Sequence, residues 1–177
     1  LRIPMDRQRG YSEEPASVWQ IKVGQIDVYL IENDTYFNRP SEKGALYGPR
    51  TGKEFADNDE RFIFFNKAAL EAIRRLGLKP DIIHCNDWQS GLIPVYLKEF
   101  YKNEPLFKHT ATVYTIHNLG FTGWFPEDAF YKTGLSPHYF NIEGIEFCGG
   151  WSFAKAGLYY TDMISTVSRG YLLDTLT

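Results

Sequence analysis

The chain has 177 residues, of which 44% are hydrophobic and 23% are charged, and its formal net charge is −3. This length and apolar content suit one domain with a packed core. The negative net charge, without a Lys/Arg-rich run, argues against a nucleic-acid-binding surface. No apolar run approaches the roughly 20 residues that cross a bilayer, so we expect no membrane partner. Two cysteines, Cys85 and Cys148, are too few for a disulfide scaffold, which favours a cytoplasmic location.

Hydrophobic periodicity predicts strands that alternate with helices over most of the chain. The first 19 residues show little periodicity, and we predict no element there. A long loop rich in Gly and Pro, 33–57, is typical of a functional or a disordered segment. The predicted strands are 25–32, 81–84, 109–116 and 163–167, and the predicted helices are 58–76, 88–101, 127–131, 151–160 and one that begins at 169.

The first long helix has clear boundary signals. Asn58 or Asp59 is the expected N-cap, and Gly77 is the expected end. Apolar residues recur there at three- and four-residue steps, which predicts one buried face. That face consists of Phe62, Phe65, Ala69, Ala72, Ile73 and Leu76. We interpret Asp59 and Glu60 as solvated charges.

The middle of the chain predicts an α/β fold. Strand 81–84, helix 88–101 and strand 109–116 form a β-α-β unit, which requires a parallel strand pair and a right-handed crossover. In an open parallel sheet, ligands bind just past the carboxyl ends of the strands. The polar side chains at those two strand ends are His84, Asn86, Asp87, His117 and Asn118.

Each of these side chains has a functional and a structural interpretation. The Asp87 carboxylate could accept hydrogen bonds from substrate hydroxyls, or Asp87 or Asn86 could cap the following helix. The His117 imidazole could donate to a sugar hydroxyl or a phosphate, or support developing charge. Alternatively, it is satisfied by neighbouring backbone carbonyls. Gly120, in the same loop as His117, would let backbone N–H groups approach a ligand.

Other motifs narrow the chemistry. Tyr47 in the long loop could serve as an aromatic platform for a sugar, and Ser168 is equally an N-cap or a ligand contact. His84 and Cys85 are adjacent in a strand and face opposite ways. Because the chain also lacks Cys-x-x-Cys, His-x-x-x-His and His-Glu-x-x-His spacings, we expect no metal site. A Gly-x-Ser-x-Gly elbow and a P-loop are likewise absent from the sequence.

Several motifs, in order, resemble those of bacterial glycogen synthases and plant starch synthases. Residues 84–92 (His-Cys-Asn-Asp-Trp-Gln-Ser-Gly-Leu) resemble the family's His-x-x-Asp-Trp-x-x-Gly-Leu segment. Residues 115–123 (Thr-Ile-His-Asn-Leu-Gly-Phe-Thr-Gly) resemble its Thr-x-His-Asn-Leu-x-(aromatic)-x-Gly loop. Residues 57–62 (Asp-Asn-Asp-Glu-Arg-Phe) resemble Asp-Asn-x-x-Arg-Phe, and 153–158 and 164–168 match two further stretches.

The resemblance implies the N-terminal domain of a GT-B glycosyltransferase, a Rossmann-like parallel sheet with helices on both faces. Such an enzyme transfers glucose from ADP-glucose to the nonreducing end of an α-1,4-glucan with retention, without a metal or other cofactor. It implies a catalytic role for His117 near the transferred glucose, with Asn118 beside it, and acceptor positioning by Asp87. The other candidate substrate contacts are His84, Asn86, Tyr47, Gly120 and Ser168.

The chain departs from the family in its extent. The family's Lys-x-Gly-Gly-Leu loop and its C-terminal nucleotide-sugar domain, which holds most of the ADP-glucose, are absent. We therefore expect 1–177 to be a single, truncated N-terminal domain that is inactive alone, located in the cytoplasm or, in a plant, the plastid. Two alternatives stay open: a non-catalytic glucan-binding module, and a GT-B glycosyltransferase with another donor or acceptor.

Overall fold

The computed structural model describes residues 1–7, 10–41 and 46–176, and it begins with two antiparallel hairpins. Strands β1 (Arg2–Arg7) and β2 (Gly10–Pro15) form the first, and β3 (Ser17–Val23) and β4 (Ile26–Glu32) form the second. The prediction of a strand at 25–32 is confirmed, but the prediction of no element before residue 20 is wrong.

Strand β1 was not predicted because its alternation of buried and exposed residues is short. Ile3 and Met5 are fully buried and alternate with the exposed Arg2 and Pro4. Two apolar residues at a spacing of two are too few for a periodicity signal, and Pro is rare inside strands.

The described part of the long loop contains one short helix, α1 (Asp34–Phe37), and the loop leads into α2 (Asn58–Leu76). The N-cap position of α2 is Asp57, one residue earlier than predicted, and Gly77 ends the helix in a left-handed conformation with φ 65°.

The predicted buried face of α2 is displaced. Phe62 and Phe65 are half-buried and Leu76 is 48% exposed, whereas Ile63 and Phe64 are fully buried. The helix contacts β1, α3 and two 3₁₀ segments rather than a single surface, so more than one side of it is covered. The interpretation of Asp59 as a solvated charge is also wrong, because this residue is only 2% exposed.

The β-α-β unit forms as predicted. Strand β5 (Ile82–Asn86) is followed by a 3₁₀ turn at Trp88–Ser90 and by α3 (Ile93–Phe100), and β6 (Ala111–Ile116) pairs with β5 in parallel. The predicted helix 88–101 is thus divided in two. Pro94 lies at the start of α3, where its missing N–H costs least.

A small antiparallel sheet lies between β6 and the last strand. It contains β7 (Trp124–Pro126), β8 (Glu146–Phe147) and β9 (Gly150–Ser152), in the order β7-β9-β8. Helix α4 (Phe153–Tyr160) follows directly. It starts two residues later than predicted because Ser152 caps it, its side chain accepting a hydrogen bond from the Lys155 N–H at 3.2 Å.

The parallel sheet is completed by β10 (Met163–Thr166), which pairs with β6, and α5 (Arg169–Leu176) follows. The strand order is β10-β6-β5, so both crossovers run in the same direction. Right-handed crossovers that advance in one direction place α3 and α4 on the same sheet face, and these two helices contact each other. This parallel sheet with its crossover helices confirms the predicted α/β class.

The main core lies between that sheet face and the helices. Cys85 and Tyr114 are each 1% exposed, and Gly157 of α4 lies directly against the Tyr114 ring. Cys85 is therefore the small buried residue that its apolar run predicts, and burial raises the pKa of its thiol to about 12. None of the helices in the described ranges is long and apolar enough to cross a lipid bilayer.

Candidate functional site

Asp87 links the carboxyl ends of β5 and β6. Its backbone N–H donates to the Thr115 carbonyl at 3.0 Å, which extends the ladder by one residue. The chain then turns sharply, because Asp87 has φ 55°, in the left-handed region that few non-glycine residues adopt. Strained conformations of this kind are concentrated at functional sites.

The Asp87 carboxylate anchors the neighbouring loop. Its Oδ1 accepts the backbone N–H of His117 at 2.8 Å and that of Asn118 at 3.4 Å. It makes no side-chain cap for the Trp88–Ser90 turn, so the capping alternative is wrong for Asp87. Among the described residues, its second oxygen, Oδ2, has no hydrogen-bond partner and stays available to a ligand.

His117 and Asn118 also have defined partners. Nε2 of His117 lies 3.0 Å from Oδ1 of Asn86, and an amide oxygen accepts, so Nε2 carries the hydrogen. Both residues are exposed. The Asn118 side chain accepts the Gly120 N–H at 2.8 Å, which closes the turn that brings Gly120 toward the cavity described next.

A cavity of about 420 Å³ opens beside these strand ends. Four of the predicted site residues line it: Tyr47, Asp87, Asn118 and Gly120. The remaining lining comes from three segments, the long loop, the turn after β5 and the loop that leads into β7. These additional lining residues are Glu54, Trp88, Gln89, Phe121, Thr122, Gly123, Trp124 and Phe125.

The other predicted residues lie elsewhere. His84 Nε2 is 2.5 Å from Thr115 Oγ1, which is 2.6 Å from Ser165 Oγ, and this chain of side chains runs across the three parallel strands. Ser168 Oγ accepts the Tyr171 N–H at 3.1 Å, so Ser168 caps the last helix. It lines a separate cavity of about 340 Å³. Asn86 and His117 are the chain neighbours of Asp87 and Asn118, but neither of them lines the 420 Å³ cavity.

Trp88 forms the floor of the cavity. Its ring centroid lies 4.6 Å from Phe62, 5.5 Å from Phe153 and 5.9 Å from Tyr47. Sequence reasoning placed Trp88 in a motif but not in the site. The density of aromatic residues around both strand ends was the signal that could have identified this cavity.

Across residues 1–7, 10–41 and 46–176, no group of three or more His, Cys, Asp or Glu side chains is arranged to hold a metal ion. Arg39 and Asp57 form an ion pair outside the cavity lining. Arg39 donates to both oxygens of Asp57, at 2.7 and 2.6 Å, immediately before α2.

The Arg39–Asp57 pair is expected to make stability depend on pH. Hydrogen bonds from Arg39 lower the pKa of the Asp57 carboxyl below its ordinary value, although burial opposes them. The contribution of the pair is therefore complete above the unfolded-state pKa of about 3.9 and is lost as the pH falls through the lower folded-state pKa. We expect Arg39→Met to cost about 1 kcal/mol at pH 7 and progressively less as the pH falls below about 3.9.

Urea unfolding between pH 2 and 7 checks this, with Lys22→Met as the control. The Lys22–Asp27 pair is 3.9 Å apart with side chains 68% and 41% exposed, so its loss should not change stability measurably. An Arg39→Met effect that is equal at all pH values would contradict the assignment.

Comparison with known proteins identifies the family. The family model described as "Starch synthase catalytic domain" matches residues 2–177. The chain is 45% identical over 158 residues to a glycogen synthase of Elusimicrobium minutum, covering 89% of this chain and 32% of that protein. It is 46% identical over 152 residues to a glycogen synthase of Desulforudis audaxviator, covering 86% of this chain and 28% of that protein.

A solved structure shows the same fold. The catalytic domain of Starch Synthase IV from Arabidopsis thaliana, bound to ADP and acarbose, superposes with a TM-score of 0.80 at 21% identity. The match covers 100% of this chain and 35% of that one, and the chain likewise spans about a third of the length of the curated relatives. With a family model that matches nearly every residue, the chain belongs to the starch synthase catalytic domain family of glycosyltransferases.

Proposed function

We propose that this chain forms the acceptor side of a retaining glucosyltransferase that moves glucose from ADP-glucose to the nonreducing end of an α-1,4-glucan. The observation that carries the proposal is the 420 Å³ cavity, in which exposed aromatic rings and polar groups meet at the carboxyl ends of parallel strands. The glycogen synthase relatives support the reaction. The ADP and acarbose bound to the Arabidopsis enzyme support a nucleotide donor and a saccharide acceptor.

The cavity has the chemistry that a sugar chain requires. The rings of Tyr47, Phe121 and Trp124 are 37%, 64% and 46% exposed, so their faces can stack on the apolar faces of glucose rings. Glu54 and Gln89 stand beside them and offer an acceptor and a donor to hydroxyl groups. Apolar walls with a few polar groups are typical of small-ligand sites.

We assign roles to individual residues on the geometry of the strand ends. Asp87 positions the acceptor, since its Oδ1 holds the neighbouring loop and its Oδ2 is available to a sugar hydroxyl. His117 is the catalytic candidate because its backbone is anchored by Asp87 and its ring is exposed beside Asn86. Its imidazole would stabilise charge that develops near the transferred glucose. Asn118 and Gly120 shape the loop that begins at His117.

The remaining predicted residues do not line the 420 Å³ cavity, and the proposal gives them supporting roles. His84, Asn86 and Ser168 would act on the substrate only indirectly, through the sheet, the His117 ring and the last helix. Residues 1–177 would form a single unit of the N-terminal domain. The rest of the relatives' length would supply the nucleotide-sugar side. The bacterial relatives support a cytoplasmic location.

Titration of the chain with maltoheptaose tests the acceptor assignment. We expect Phe121→Ala to weaken binding by about tenfold with little change in stability, because its exposed ring contributes stacking but little core packing. Ile142→Ala is the matched control, since this apolar residue is 79% exposed and lies outside the cavity lining. Calorimetry gives the affinity, and thermal unfolding verifies the fold.

Two outcomes would contradict the proposal. The first is equal affinity of the wild type and Phe121→Ala for maltoheptaose, or no binding by either. The second is turnover of ADP-glucose on glycogen by the 177-residue chain alone at ordinary enzymatic rates of about 1–1,000 per second, which would show that no further donor side is needed.

A further inference from the structure

We infer that Asn58 and Arg61 are positioning residues that set the cavity wall formed by Tyr47 and Glu54. They touch no substrate and act by holding the loop at 46–55 in place. The saccharide part of this inference rests on the proposed function. The structural part, that these two side chains hold the loop in place, stands independently and is tested separately.

Asn58 connects the first turn of α2 to both wall residues. Its side chain is buried, and the residue is 1% exposed. The amide Nδ2 donates to the Tyr47 carbonyl at 2.9 Å and to Glu54 Oε2 at 3.4 Å. Both of these residues line the cavity, so one buried amide fixes the position of two groups on its rim.

Arg61 fixes Asn58 and the start of the loop. The residue is 5% exposed, and its guanidinium donates to Asn58 Oδ1 at 2.6 Å, to the Leu46 carbonyl at 3.2 Å and to the Tyr36 carbonyl at 2.8 Å. These three bonds run to neutral oxygens, and burial lowers the pKa of the guanidinium. A buried cation among carbonyl groups is costly, which indicates that its value lies in the geometry it imposes.

Aromatic rings hold the guanidinium in this orientation. Its central carbon lies 5.0 Å from the Phe55 ring centroid and 5.5 Å from that of Phe62. Lysine could not make three bonds in these directions, because its ammonium is a single point on a flexible chain. We call Asn58 and Arg61 of the Asp-Asn-x-x-Arg-Phe segment the clamp, because their side chains hold the loop at 46–55 in place.

The side chain of Tyr47 is held by Gln89 and by the cavity floor at Trp88. The Tyr47 hydroxyl accepts from Gln89 Nε2 at 2.5 Å, and its ring lies 5.9 Å from that of Trp88. The Phe55 N–H closes the loop on the Tyr47 carbonyl at 2.7 Å. Tyr47 therefore spans the gap between α2 and the turn after β5, and a shift of its backbone would change the width of the cavity.

Asn58→Asp isolates the clamp with a nearly isosteric change. The carboxylate still accepts from Arg61 but cannot donate to the Tyr47 carbonyl, and it repels Glu54. We expect the loop to detach and the affinity for maltoheptaose to fall about tenfold. Arg61→Lys should have the same effect for the reason given above.

Limited trypsin digestion measures the loop without any saccharide. Arg50 and Lys53 are exposed tryptic sites within it. We expect cleavage at these two bonds to accelerate at least fivefold in Asn58→Asp. Thr133→Val is the control for general destabilisation, because it removes a buried hydroxyl that bonds the Phe130 carbonyl at 2.8 Å and the Leu135 N–H rather than the loop. It should lower thermal stability and leave this cleavage unchanged.

A double-mutant cycle separates positioning from a general structural effect. If Asn58 acts through the two wall residues, Asn58→Asp should weaken maltoheptaose binding in the wild type and have no further effect in a background that carries both Tyr47→Ala and Glu54→Ala. Additive losses would overturn the positioning role. Unchanged cleavage at Arg50 and Lys53 in Asn58→Asp would overturn the clamp itself, whether or not the wild type binds maltoheptaose. Accelerated cleavage with no wild-type binding would instead leave the clamp standing and reject the proposed function.

Discussion

Replacing Lys132 with methionine is expected to lower the free energy of unfolding by about 3–5 kcal/mol at pH 7. Lys132 Nζ lies 2.7 Å from Asp59 Oδ2 and 3.3 Å from Glu60 Oε1. The Asp59 side chain is 3% exposed, so the substitution would leave a buried carboxylate without its cation. An unpaired buried charge costs far more than the loss of a surface ion pair.

The deficit of Lys132→Met should shrink as the pH falls. Burial raises the pKa of the Asp59 carboxyl in the folded protein, and the bonds from Lys132 oppose that rise. Without Lys132 the folded-state pKa lies further above the unfolded value of about 3.9, so folding takes up a proton. The stability of the variant therefore rises as the pH decreases from 7 toward 4.

Urea unfolding at pH 7 and pH 4.5 measures both effects. Asp59→Asn combined with Lys132→Met should recover much of the loss at pH 7, because the charge is removed together with its partner. Arg75→Met is the surface control, since the Arg75 side chain is 63% exposed in its pair with Glu71. An equal deficit at both pH values would exclude the buried Asp59 carboxylate as its cause.

Gly123→Ala is expected to destabilise the protein by about 3 kcal/mol and to deform the cavity floor. A Cβ at this position would lie 2.3 Å from Trp88 Cε3 and 3.2 Å from Phe153 Cβ, and the residue has φ +58°. Two penalties therefore add, an overpacked aromatic cluster of about 1–3 kcal/mol and a left-handed conformation of about 1–2 kcal/mol.

Gly24→Ala separates these two penalties. Gly24 has φ +64°, and a Cβ there would meet nothing within 4 Å, so only the conformational cost applies. Urea unfolding should show the larger loss for Gly123→Ala, and maltoheptaose titration should show weaker binding for that variant alone. Equal losses of unfolding free energy in the two variants would mean that the Trp88 ring moves aside without destabilising the protein.

The parallel sheet was predictable because its strands have a strong local signal. β5, β6 and β10 are apolar runs bounded by turn residues, and at least one predicted helix lies between each consecutive pair. The strand-end rule then located Asp87 and Asn118, which both line the cavity. These features depend on residues that are close together in the chain, so they can be recognised from the sequence alone.

The ionised groups around α2 were not predictable in the same way. Asp59 and Glu60 resemble ordinary exposed acids at a helix start, yet Asp59 is buried against Lys132, 73 residues later in the chain. The same holds for Arg61, whose partners include the Tyr36 and Leu46 carbonyls. No local pattern reveals a partner that only chain folding brings near.

The sequence by itself determined the family, the α/β class and the two strand ends at which the candidate site is built. Only the tertiary structure decided that Asp87 anchors the His117 loop, that His84 points along the sheet toward Thr115, and that Tyr47 closes the cavity from a distant loop. The physical reason is that motifs and periodicity record local backbone preference and burial. The direction of a side chain is instead decided by hydrogen bonds to residues that are far away in sequence.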